Sequence, residues 1–450
     1  MIPQLIQESV KTLKEMTDNV EELALLNILN AKIAHLVSLK SVSFKQYNNS
    51  VPRTLAYYGM NFMNSGANKD FAVDCINNYF LPFVEEWLKK NVEEYKIQYE
   101  QEQSLTRTGK REEQKIQEEI NRMRVVNLEL MNPNYTGLYE EARQMHNIQC
   151  GSLFIRIGEL GDYLDNIVSG NQSKKELYQK LKDVYEGSFA PSIIAGDSKR
   201  ETIKNIPVQV LMYTDFENLF NPKIKDYYLT SLKTGMARRS FIYMPSNESR
   251  ELAYPKRPEE KDDAFYRAKE LSKRFEDMFN KIQAGTVYQL SEEAKEKLYQ
   301  YQCECIDYFN KSKDDIIIKL EHKESFWKIT KLAVVYSIVD NPLAIVVSSK
   351  YVDMAISFYK DIAPSLKTII EKRKPSEIEL YAQYMIDHAD EIITRTELRN
   401  TNIVSNNKFK RFFDEHIEEI KEVVSTYGYR VFDYSGDTPN SKGYQLMRSN

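Results

Sequence analysis

The spacing of apolar residues along the chain divides it into four regions. Residues 1–50 carry apolar side chains at every third or fourth position with no Gly or Pro after Pro3, which predicts an N-terminal helical region. Residues 51–250 follow a different rhythm, in which short apolar runs are separated by Gly and Asn, and this predicts buried strands that alternate with helices. Helical spacing returns in residues 251–374 after a charged linker that contains prolines, and residues 375–450 form the last region.

A long polar insertion interrupts the second region. Residues 89–124 intermix basic and acidic side chains, and this pattern predicts a solvated helix or a helical hairpin that is broken near Thr108 and Gly109. The insertion is therefore expected to form a solvated arm.

The last region predicts a small domain with its own order of elements. Its pattern indicates three helices and then two short strands, YRVFDY and GYQLMR, which flank a turn rich in Gly, Asp, Pro and Asn. This is the order of a winged helix-turn-helix, so residues 375–450 are expected to form a winged-helix domain.

Composition excludes several classes of protein. The 450 residues are 42% hydrophobic and 28% charged, which is typical of a soluble globular protein large enough for about three domains. The longest apolar stretch is far shorter than the roughly 18 residues of a membrane span, and the N-terminus lacks the pattern of a secretory signal. Four cysteines do not form a disulfide framework in so long a chain, so we expect a cytoplasmic protein with no membrane partner. The net charge of −4 means that any contact with nucleic acid has to come from local basic clusters.

A segment near the start of the second region indicates a phosphate-binding loop. Such a loop needs small residues whose N–H groups surround phosphate oxygens, a Lys that reaches the terminal phosphates, and a helix that follows. Aligned on Lys69, the pattern G-x-x-x-x-G-K-[ST] falls on residues 63–70. Met63 and Asn68 replace its two glycines, and Asp70 replaces its hydroxyl residue.

The departures from the pattern differ in severity. Asn68 is the least damaging substitute for a Gly, because Asn tolerates the left-handed backbone better than most residues. Taken alone, the segment is more typical of a surface turn before a helix, so it needs partners elsewhere in the chain. The residues expected to bind ATP here are Asn64, Ser65, Gly66, Ala67, Asn68, Lys69, Asp70 and Phe71.

A buried strand that ends in an acid is predicted further along. The run SLFIRIGE, residues 152–159, places Glu159 at a strand tip, where a carboxylate can polarise an attacking water or hold Mg²⁺. Gly158 stands where a second acid is usual. Asp70 is the candidate to replace that acid, because Mg²⁺ needs only one or two carboxylates besides phosphate oxygens. Asp70 and Glu159 are therefore the predicted metal ligands.

Two further segments extend the pattern. Residues 207–213 predict a third buried strand, and Thr214 or Asp215 at its end would be a sensor of the γ-phosphate if this strand lies beside the phosphate strand. Arg238 and Arg239 come just before another strand, which suits an arginine finger supplied to the nucleotide of a neighbouring subunit. The order of the four elements supports nucleotide binding more strongly than any one of them.

The order of these elements resembles that of a known family. From about residue 52 to residue 245 the chain is similar to the phage and mobile-element helicases akin to superfamily 3 and to the poxvirus-type primase-helicases, which are AAA+-like ring ATPases. The stretch from LYQKLKDVYEGSF to KNIPVQVLMYTD shares their layout of a helix, the letters YEG, a basic hairpin and a strand. The resemblance implies an α/β P-loop, AAA+-like ATPase core with helical N-terminal and middle regions and a C-terminal winged-helix domain.

The resemblance also implies cofactors, partners and residue roles. It implies ATP and Mg²⁺ as cofactors. It also implies a homo-oligomer, expected to be a hexamer, that acts on single-stranded or forked DNA in phage or mobile-element replication beside replisome proteins. The implied roles are phosphate lysine for Lys69, catalytic acid for Glu159, sensor for Thr214 or Asp215, and finger for Arg238 and Arg239.

A basic hairpin is the first candidate for DNA contact. In helicases of this kind a hairpin just before the sensor strand enters the channel of the ring, and here it would carry Lys199, Arg200 and Lys204. Contacts from such residues to the DNA backbone are independent of base sequence and sensitive to salt. An ordinary exposed basic loop is the alternative.

The third helix of the last region is the second candidate. It opens with Lys408, Lys410 and Arg411, where a recognition helix would meet phosphates and base edges. Residues 376–450 nevertheless hold nine basic and thirteen acidic residues, a net charge of −4, whereas DNA-binding modules are usually basic. Docking of a protein partner is the alternative.

Three functions therefore stay open at the level of sequence. The first is a ring-forming, ATP-dependent DNA helicase or translocase. The second is a nucleotide-dependent replication initiator or loader that binds DNA without efficient hydrolysis. The third is a docking protein whose ATPase core is inactive.

Overall fold

A computed structural model describes most of the chain. It describes residues 2–448 apart from positions 19, 48, 64–67, 107–113, 115–116, 119, 121–122, 124–128, 191–201, 222, 246–253, 255, 373–374, 390 and 436–441. Two compact units divide the chain, Met1–Ile370 and Glu371–Asn450. Within the described ranges, no helix is both long enough and apolar enough to cross a membrane.

The first unit combines helices with two sheets, so the protein is of the mixed α/β class and contains parallel strands. Its strands are β1 (Ser43–Gln46), β2 (Asn49–Thr54), β3 (Tyr58–Phe62), β4 (Leu130–Met131), β5 (Leu153–Ile157), β6 (Val208–Thr214), β7 (Ser240–Tyr243), β8 (Val287–Leu290) and β9 (Val346–Val347). Its α-helices are α1 (Gln4–Thr17), α2 (Glu22–Ser38), α3 (Lys69–Cys75), α4 (Phe83–Thr106), α5 (Tyr135–Asn147), α6 (Leu160–Val168), α7 (Gln172–Val184), α8 (Phe216–Leu219), α9 (Lys225–Ser231), α10 (Ala237–Arg239), α11 (Asp262–Lys281), α12 (Glu292–Lys311), α13 (Ile316–Asp340), α14 (Ser349–Ile362) and α15 (Pro364–Lys372). Shorter turns of other helix types span Ile76–Phe80, Leu232–Met236 and Pro258–Lys261.

The central sheet has the order β4-β5-β6-β3-β7, and all of its strands are parallel. β6 pairs with β3 on one side and with β5 on the other. Every residue of β3 and β6 is buried, as expected for parallel strands that are covered on both faces. Because the strands point the same way, they end at one edge of the sheet, which we call the carboxyl edge, and start at the opposite edge, the amino edge.

Helix α2 lies against one face of the central sheet. It contacts β3, β6 and β7, and it is buried almost throughout because α13 contacts it as well. The Asn27 amide donates to the Asn61 side chain (2.9 Å) and to the Phe241 carbonyl (3.2 Å). Gly59 on β3 permits this approach, since a Cβ at Gly59 would lie 3.3 Å from the Asn27 side chain. The N-terminal region is thus part of the core around the sheet.

The helices that follow the central sheet in the chain pack into the same core. Phe326 and Leu332 on α13 are buried in it. Lys328, also on α13, donates from its Nζ to the Ser240 carbonyl at the start of β7 (2.7 Å). The three regions that the sequence pattern separated before residue 375 therefore share one hydrophobic core.

The second sheet joins segments that are far apart in the sequence. Its order is β2-β1-β8-β9, with β1 and β2 antiparallel and the other pairs parallel. The prediction of helical structure in residues 1–50 and 251–374 is therefore wrong at β1, β8 and β9. These strands have two to four residues each, and their hydrogen bonds come from distant partners, as where Ser43 lies opposite Val287. Local spacing of apolar residues does not reveal such pairing.

The start of the polar insertion is helical, as part of α4. Its charged residues form exposed pairs along the helix, such as Lys89 with Glu85 at 2.6 Å. Thr108 and Gly109, where a break was predicted, lie outside the described residues.

The second unit has its own small core. Its elements are α16 (Glu377–Asp387), β10 (Ile392–Thr394), α17 (Arg395–Asn400), α18 (Asn406–Thr426), β11 (Tyr429–Ser435) and β12 (Lys442–Arg448). The strands form an antiparallel sheet of order β10-β12-β11, which includes both predicted strands. Tyr381, Leu398 and Phe413, one from each helix, are buried together with Tyr444 of the sheet.

Candidate functional site

The predicted phosphate loop leaves the carboxyl edge at the end of β3. The Met63 N–H donates to the Thr214 carbonyl (2.8 Å) and ties the start of the loop to the end of β6. The predicted ATP-binding residues Asn64, Ser65, Gly66 and Ala67 lie outside the described residues. Asn68 has φ of 55° and directly precedes α3, so the left-handed backbone expected of a Gly substitute is present.

Lys69, the first residue of α3, forms an ion pair with Glu159 just after β5. The two residues are 90 positions apart in sequence. Lys69 is buried, and its Nζ also lies 5.7 Å from the centroid of the Tyr213 ring on β6. The Glu159 side chain is 43% exposed, so this carboxylate faces the solvent side of the carboxyl edge. The structure thus brings together the predicted phosphate lysine and the predicted catalytic acid.

Asp70 contacts an arginine that the sequence analysis did not identify. Its Oδ1 lies 3.2 Å from Nη1 of Arg156 on β5. The Nε of Arg156 contacts Oε1 of Glu129, whose other oxygen lies 2.5 Å from Nζ of Lys32 on α2. Four side chains of alternating charge therefore form a continuous chain from α2 to the first turn of α3.

Most of this chain of charges is buried. Burial raises the pKa of Glu129, but the charges on Lys32 and Arg156 outweigh that effect and leave the pKa below its ordinary value. Burial lowers the pKa of Lys32, and the Glu129 carboxylate opposes this shift. Arg156 is the residue by which this chain of charges could have been noticed in the sequence, because it is a single charged residue in a run that is otherwise apolar.

The two predicted metal ligands have separate partners. Asp70 contacts Arg156 and Glu159 contacts Lys69, so each carboxylate already faces a cation. The described part of the chain contains no group of three or more His, Cys, Asp or Glu residues arranged to hold a metal ion. The side chains as placed do not fit a shared Mg²⁺ site.

The two sensor candidates differ in their surroundings. Thr214 is buried at the end of β6, beside the phosphate strand β3, and its hydroxyl donates to the Asp215 carbonyl (3.1 Å). Asp215 caps α8, since its carboxylate accepts from the backbone N–H (2.7 Å) and the side-chain amide (2.6 Å) of Asn218. Capping accounts for Asp215, which leaves Thr214 as the better placed sensor.

Arg238 and Arg239 lie at the amino edge. They precede Ser240, which pairs with Tyr58 at the start of β3, whereas Lys69 follows the end of that strand. Four steps along β3 separate the two edges by about 13 Å. This exceeds the reach of an arginine side chain, so neither arginine reaches the predicted phosphate lysine of its own chain.

The arginines are held by contacts within the chain. Arg239 donates to the Gly235 carbonyl (3.1 Å) and lies 5.6 Å from the centroid of the Tyr185 ring. Lys331 on α13 lies over the same ring at 3.7 Å and is 3.5 Å from Glu186. Burial lowers the pKa of Lys331 to about 8, the Glu186 carboxylate opposes the shift, and Arg239 adds to it.

The DNA-contact candidates are only partly described. Lys199 and Arg200 lie outside the described residues, and Lys204 is exposed. Phe189 and Ile203 form an antiparallel bridge just before β6, with N–H to carbonyl distances of 2.8 and 3.0 Å.

The basic residues of α18 are exposed at its start. Lys408, Lys410 and Arg411 point to solvent, while Phe409 between them is buried in the core of the second unit. Arg411 also pairs with Glu415 one turn along the helix, at 2.9 Å. Lys408 and Lys410 are thus exposed and take part in none of the ion pairs described.

Comparison with known proteins assigns no family to the chain. No known protein family and no curated protein matches its sequence. A function for the chain therefore has to follow from the geometry of its own residues.

Proposed function

We propose that the chain is a ring-forming, ATP-dependent DNA translocase or helicase of the AAA+-like type that acts in phage or mobile-element replication in the host cytoplasm. The observation that carries the proposal is the Lys69–Glu159 ion pair at the carboxyl edge. Ligands of open parallel α/β sheets bind outside the carboxyl ends of the strands, where neighbouring connections diverge. The strand order supports this position, because β6 lies between the strand before Lys69 and the strand before Glu159.

The ion pair would supply a cation for the phosphates and a carboxylate for the attacking water. An ATP triphosphate entering at the start of α3 would take the Lys69 ammonium as its counter-charge, and the helix N-terminus adds to the attraction. Glu159 would then be released to accept a proton from the water that attacks the γ-phosphorus, while the bond from that phosphorus to the ADP oxygen breaks. The Thr214 hydroxyl, buried on the strand between the two residues, is the sensor in this scheme.

The position of the arginines supports the proposal of a ring. Arg238 and Arg239 lie at the amino edge, too far from Lys69 of the same chain to contact its nucleotide. An arginine finger supplied to a neighbouring subunit fits that position, and such subunits repeat head to tail into a closed ring. A homo-hexamer is the assembly that the family resemblance implies.

DNA contact is assigned to two places. The bridge between Phe189 and Ile203 precedes the proposed sensor strand and lies next to the exposed Lys204, and this position suits a DNA-contacting hairpin. The second unit, with its three helices and antiparallel β10-β12-β11 sheet, is proposed to be a winged helix whose third helix presents Lys408 and Lys410.

ATP turnover with and without single-stranded DNA tests the proposal. Wild-type protein should hydrolyse ATP, and single-stranded DNA should raise the rate. Glu159→Gln should bind ATP but lose turnover, because the amide cannot accept the proton. Equal turnover in wild type and Glu159→Gln would remove the catalytic assignment.

A nucleotide-dependent initiator or loader without efficient hydrolysis is the second candidate. It is favoured by the contact of Asp70 with Arg156 and by Gly158, which leave the usual second acid without an equivalent. This candidate predicts ATP-dependent assembly on DNA with no turnover in wild type. The third candidate, a docking protein with an inactive core, predicts no ATP binding at all.

A further inference from the structure

The residue after the phosphate lysine carries an unusual charge for its position. Asp70 occupies the first turn of α3, where the phosphate-loop pattern has a neutral Ser or Thr. Its side chain is 62% exposed. An uncompensated carboxylate there would repel the nucleotide that Lys69 and the start of α3 attract.

Arg156 compensates this charge from the neighbouring strand. Its side chain is only 14% exposed, and its guanidinium contacts both Asp70 and Glu129. Glu129 is itself held by the buried Lys32 at 2.5 Å and by the amide of Asn77 at 3.4 Å. The guanidinium is therefore anchored at its protected end and offers its other nitrogens to Asp70.

The same contact removes Asp70 from the set of metal ligands. A carboxylate that accepts from a guanidinium would have to give up that contact to bind Mg²⁺, and the arginine would then face a divalent cation. Glu159 is paired with Lys69 in the same way. Before a nucleotide binds, both acids that the sequence suggested for Mg²⁺ are thus neutralised by side chains of the protein, and the Glu159 carboxylate that ATP releases is assigned to the attacking water rather than to Mg²⁺.

Building on the proposed phosphate site at Lys69, we propose that Arg156 is a positioning residue that neutralises Asp70 and makes nucleotide binding by this chain independent of a protein-held Mg²⁺. Asp70 and Glu159 contribute no ligand to any Mg²⁺ that accompanies the nucleotide. The ligand class is a nucleoside triphosphate, and its affinity does not depend on free Mg²⁺.

The first test measures binding of a fluorescent ATP analogue to the full chain in excess Mg²⁺ and in EDTA. The expected affinities of the wild type agree within about threefold, because no protein ligand to Mg²⁺ is lost in EDTA. Asp70→Asn should bind with unchanged or higher affinity in both conditions. An affinity more than about tenfold lower in EDTA, together with loss of that difference in Asp70→Asn, would show that Asp70 holds the metal and would overturn the proposal.

The second test removes the compensating charge. Arg156→Gln should lower affinity in EDTA by about tenfold, because Asp70 then faces the phosphates alone. Mg²⁺ should restore much of this loss, since the carboxylate is now free to bind it. Arg156→Lys should retain most of the affinity in EDTA, and the double variant Arg156→Gln with Asp70→Asn should bind like wild type.

Controls keep the second test independent of folding and of the phosphate site. Arg274→Gln removes an arginine from a partly exposed pair with Glu8 on α1 and should leave both affinities unchanged. If Arg156→Gln does not fold, Asp70→Asn decides alone, because a tenfold loss of affinity in Mg²⁺ would assign the metal to Asp70.

Lys69→Ala separates this inference from the proposed function. If Lys69→Ala loses affinity in both conditions while wild type depends on Mg²⁺ through Asp70, the phosphate site stands and the role of Arg156 is wrong. If Lys69→Ala binds the analogue like wild type, the phosphate site itself is wrong, and the inference fails with it.

Discussion

The two edges of the central sheet hold their charged side chains in different ways. At the carboxyl edge, cations meet carboxylates from distant parts of the chain, as in Lys69 with Glu159 and Arg156 with Asp70. The Glu159 carboxylate is 43% exposed, so a bound anion can take its place beside Lys69 at little cost in desolvation. The carboxyl edge is therefore suited to exchange the Lys69–Glu159 pair for a bound anion, while Arg156 keeps the charge of Asp70 compensated.

At the amino edge, cations collect around an aromatic ring. Arg239 and Lys331 lie over the Tyr185 ring at 5.6 and 3.7 Å, and Arg238 is next to them in sequence. Backbone carbonyls, such as that of Gly235, accept from these cations and fix their positions. This edge presents positive charge that is fixed rather than exchangeable. It is suited to a second anion, and the nucleotide of a neighbouring subunit is the one we propose.

The largest expected effect concerns the amino edge. Arg238→Ala and Arg239→Ala should both lower ATP turnover of the assembled protein. The variant that removes the finger itself should lose about 10³-fold or more, because a finger stabilises charge on the transferred phosphoryl group. Binding of ATP by isolated subunits should stay unchanged, since the arginines do not reach the nucleotide of their own chain. Steady-state turnover and equilibrium binding on the same preparations give both quantities.

Mixing subunits is the control for action in trans. Lys69→Ala subunits keep their arginines, and arginine-variant subunits keep their phosphate site, so mixed rings should regain part of the turnover. If mixed rings assemble and remain inactive, the two edges do not cooperate across a subunit boundary.

The second effect concerns the carboxyl edge itself. Lys69→Ala should weaken ATP binding roughly 100-fold, because one charged contact to phosphate is lost. Thermal stability should change little, as the partner Glu159 is partly solvated and can be hydrated. Lys90→Ala on α4, where the lysine side chain is 75% exposed, is the matched control and should bind ATP like wild type.

The third effect is a pH dependence at the amino edge. The pKa of Lys331 is about 8 in the folded chain and close to 10.5 when unfolded, so the unfolded chain binds more protons between these values. The free energy of unfolding of the wild type should therefore rise with pH relative to that of Lys331→Met. The gain should reach about 3 kcal/mol between pH 8 and pH 10.5.

Urea unfolding across this pH range measures the difference. Lys360→Met, which replaces an exposed lysine on α14, is the control and should follow the wild type. If the free energies of unfolding of wild type and Lys331→Met change with pH in parallel, Lys331 keeps its proton in the folded chain. The amino edge would then hold one more positive charge than the burial of Lys331 suggests.

The smallest expected effect is a coupling at the carboxyl edge. A Cβ at Gly158 would meet no atom within 4 Å, so Gly158→Asp has room. Asp70→Ser with Gly158→Asp rebuilds the commoner set of a loop hydroxyl and a strand carboxylate. We expect Mg²⁺-dependent ATP binding in the double variant alone, with a coupling of about 1–3 kcal/mol between the two changes.

A double-mutant cycle on ATP affinity in Mg²⁺ and in EDTA gives this coupling. The sequence suggested instead that Asp70 compensates for the missing acid, in which case Asp70→Ser alone would weaken binding in Mg²⁺. Effects that add within about 0.5 kcal/mol would show that the two positions do not share a metal.

Residues with local signals were identified from the sequence. Lys69 and Glu159 were predicted because each lies at a boundary that apolar patterning marks, one where a helix starts after a small-residue loop and one where a buried strand ends. Asn68 was predicted to tolerate a left-handed backbone, and its φ is 55°. The two strands of the last region were predicted because a turn rich in breaking residues separates them.

Residues whose role depends on distant partners were not identified from the sequence. Arg156 was visible as a charge in an apolar strand, but its meaning comes from Asp70 and Glu129, which α3 and the start of β4 bring to it. Lys331 was not identified either, because its role comes from contacts with Tyr185, which lies 146 positions away, and with Glu186.

The sequence by itself determined the mixed α/β class, the strands β5, β6 and β7 of the central sheet, and the two groups that meet at the carboxyl edge, because these follow from local periodicity and turn chemistry. Only the tertiary structure decided that β6 separates β3 from β5, that α2 belongs to the core of the sheet, and which carboxylate faces which cation. Strand order, burial of a helix and ion pairing depend on contacts between residues that are tens to hundreds of positions apart. The free energy of those contacts does not enter any local pattern, which is why the partners of Asp70 and Arg239 had to be seen in the folded chain.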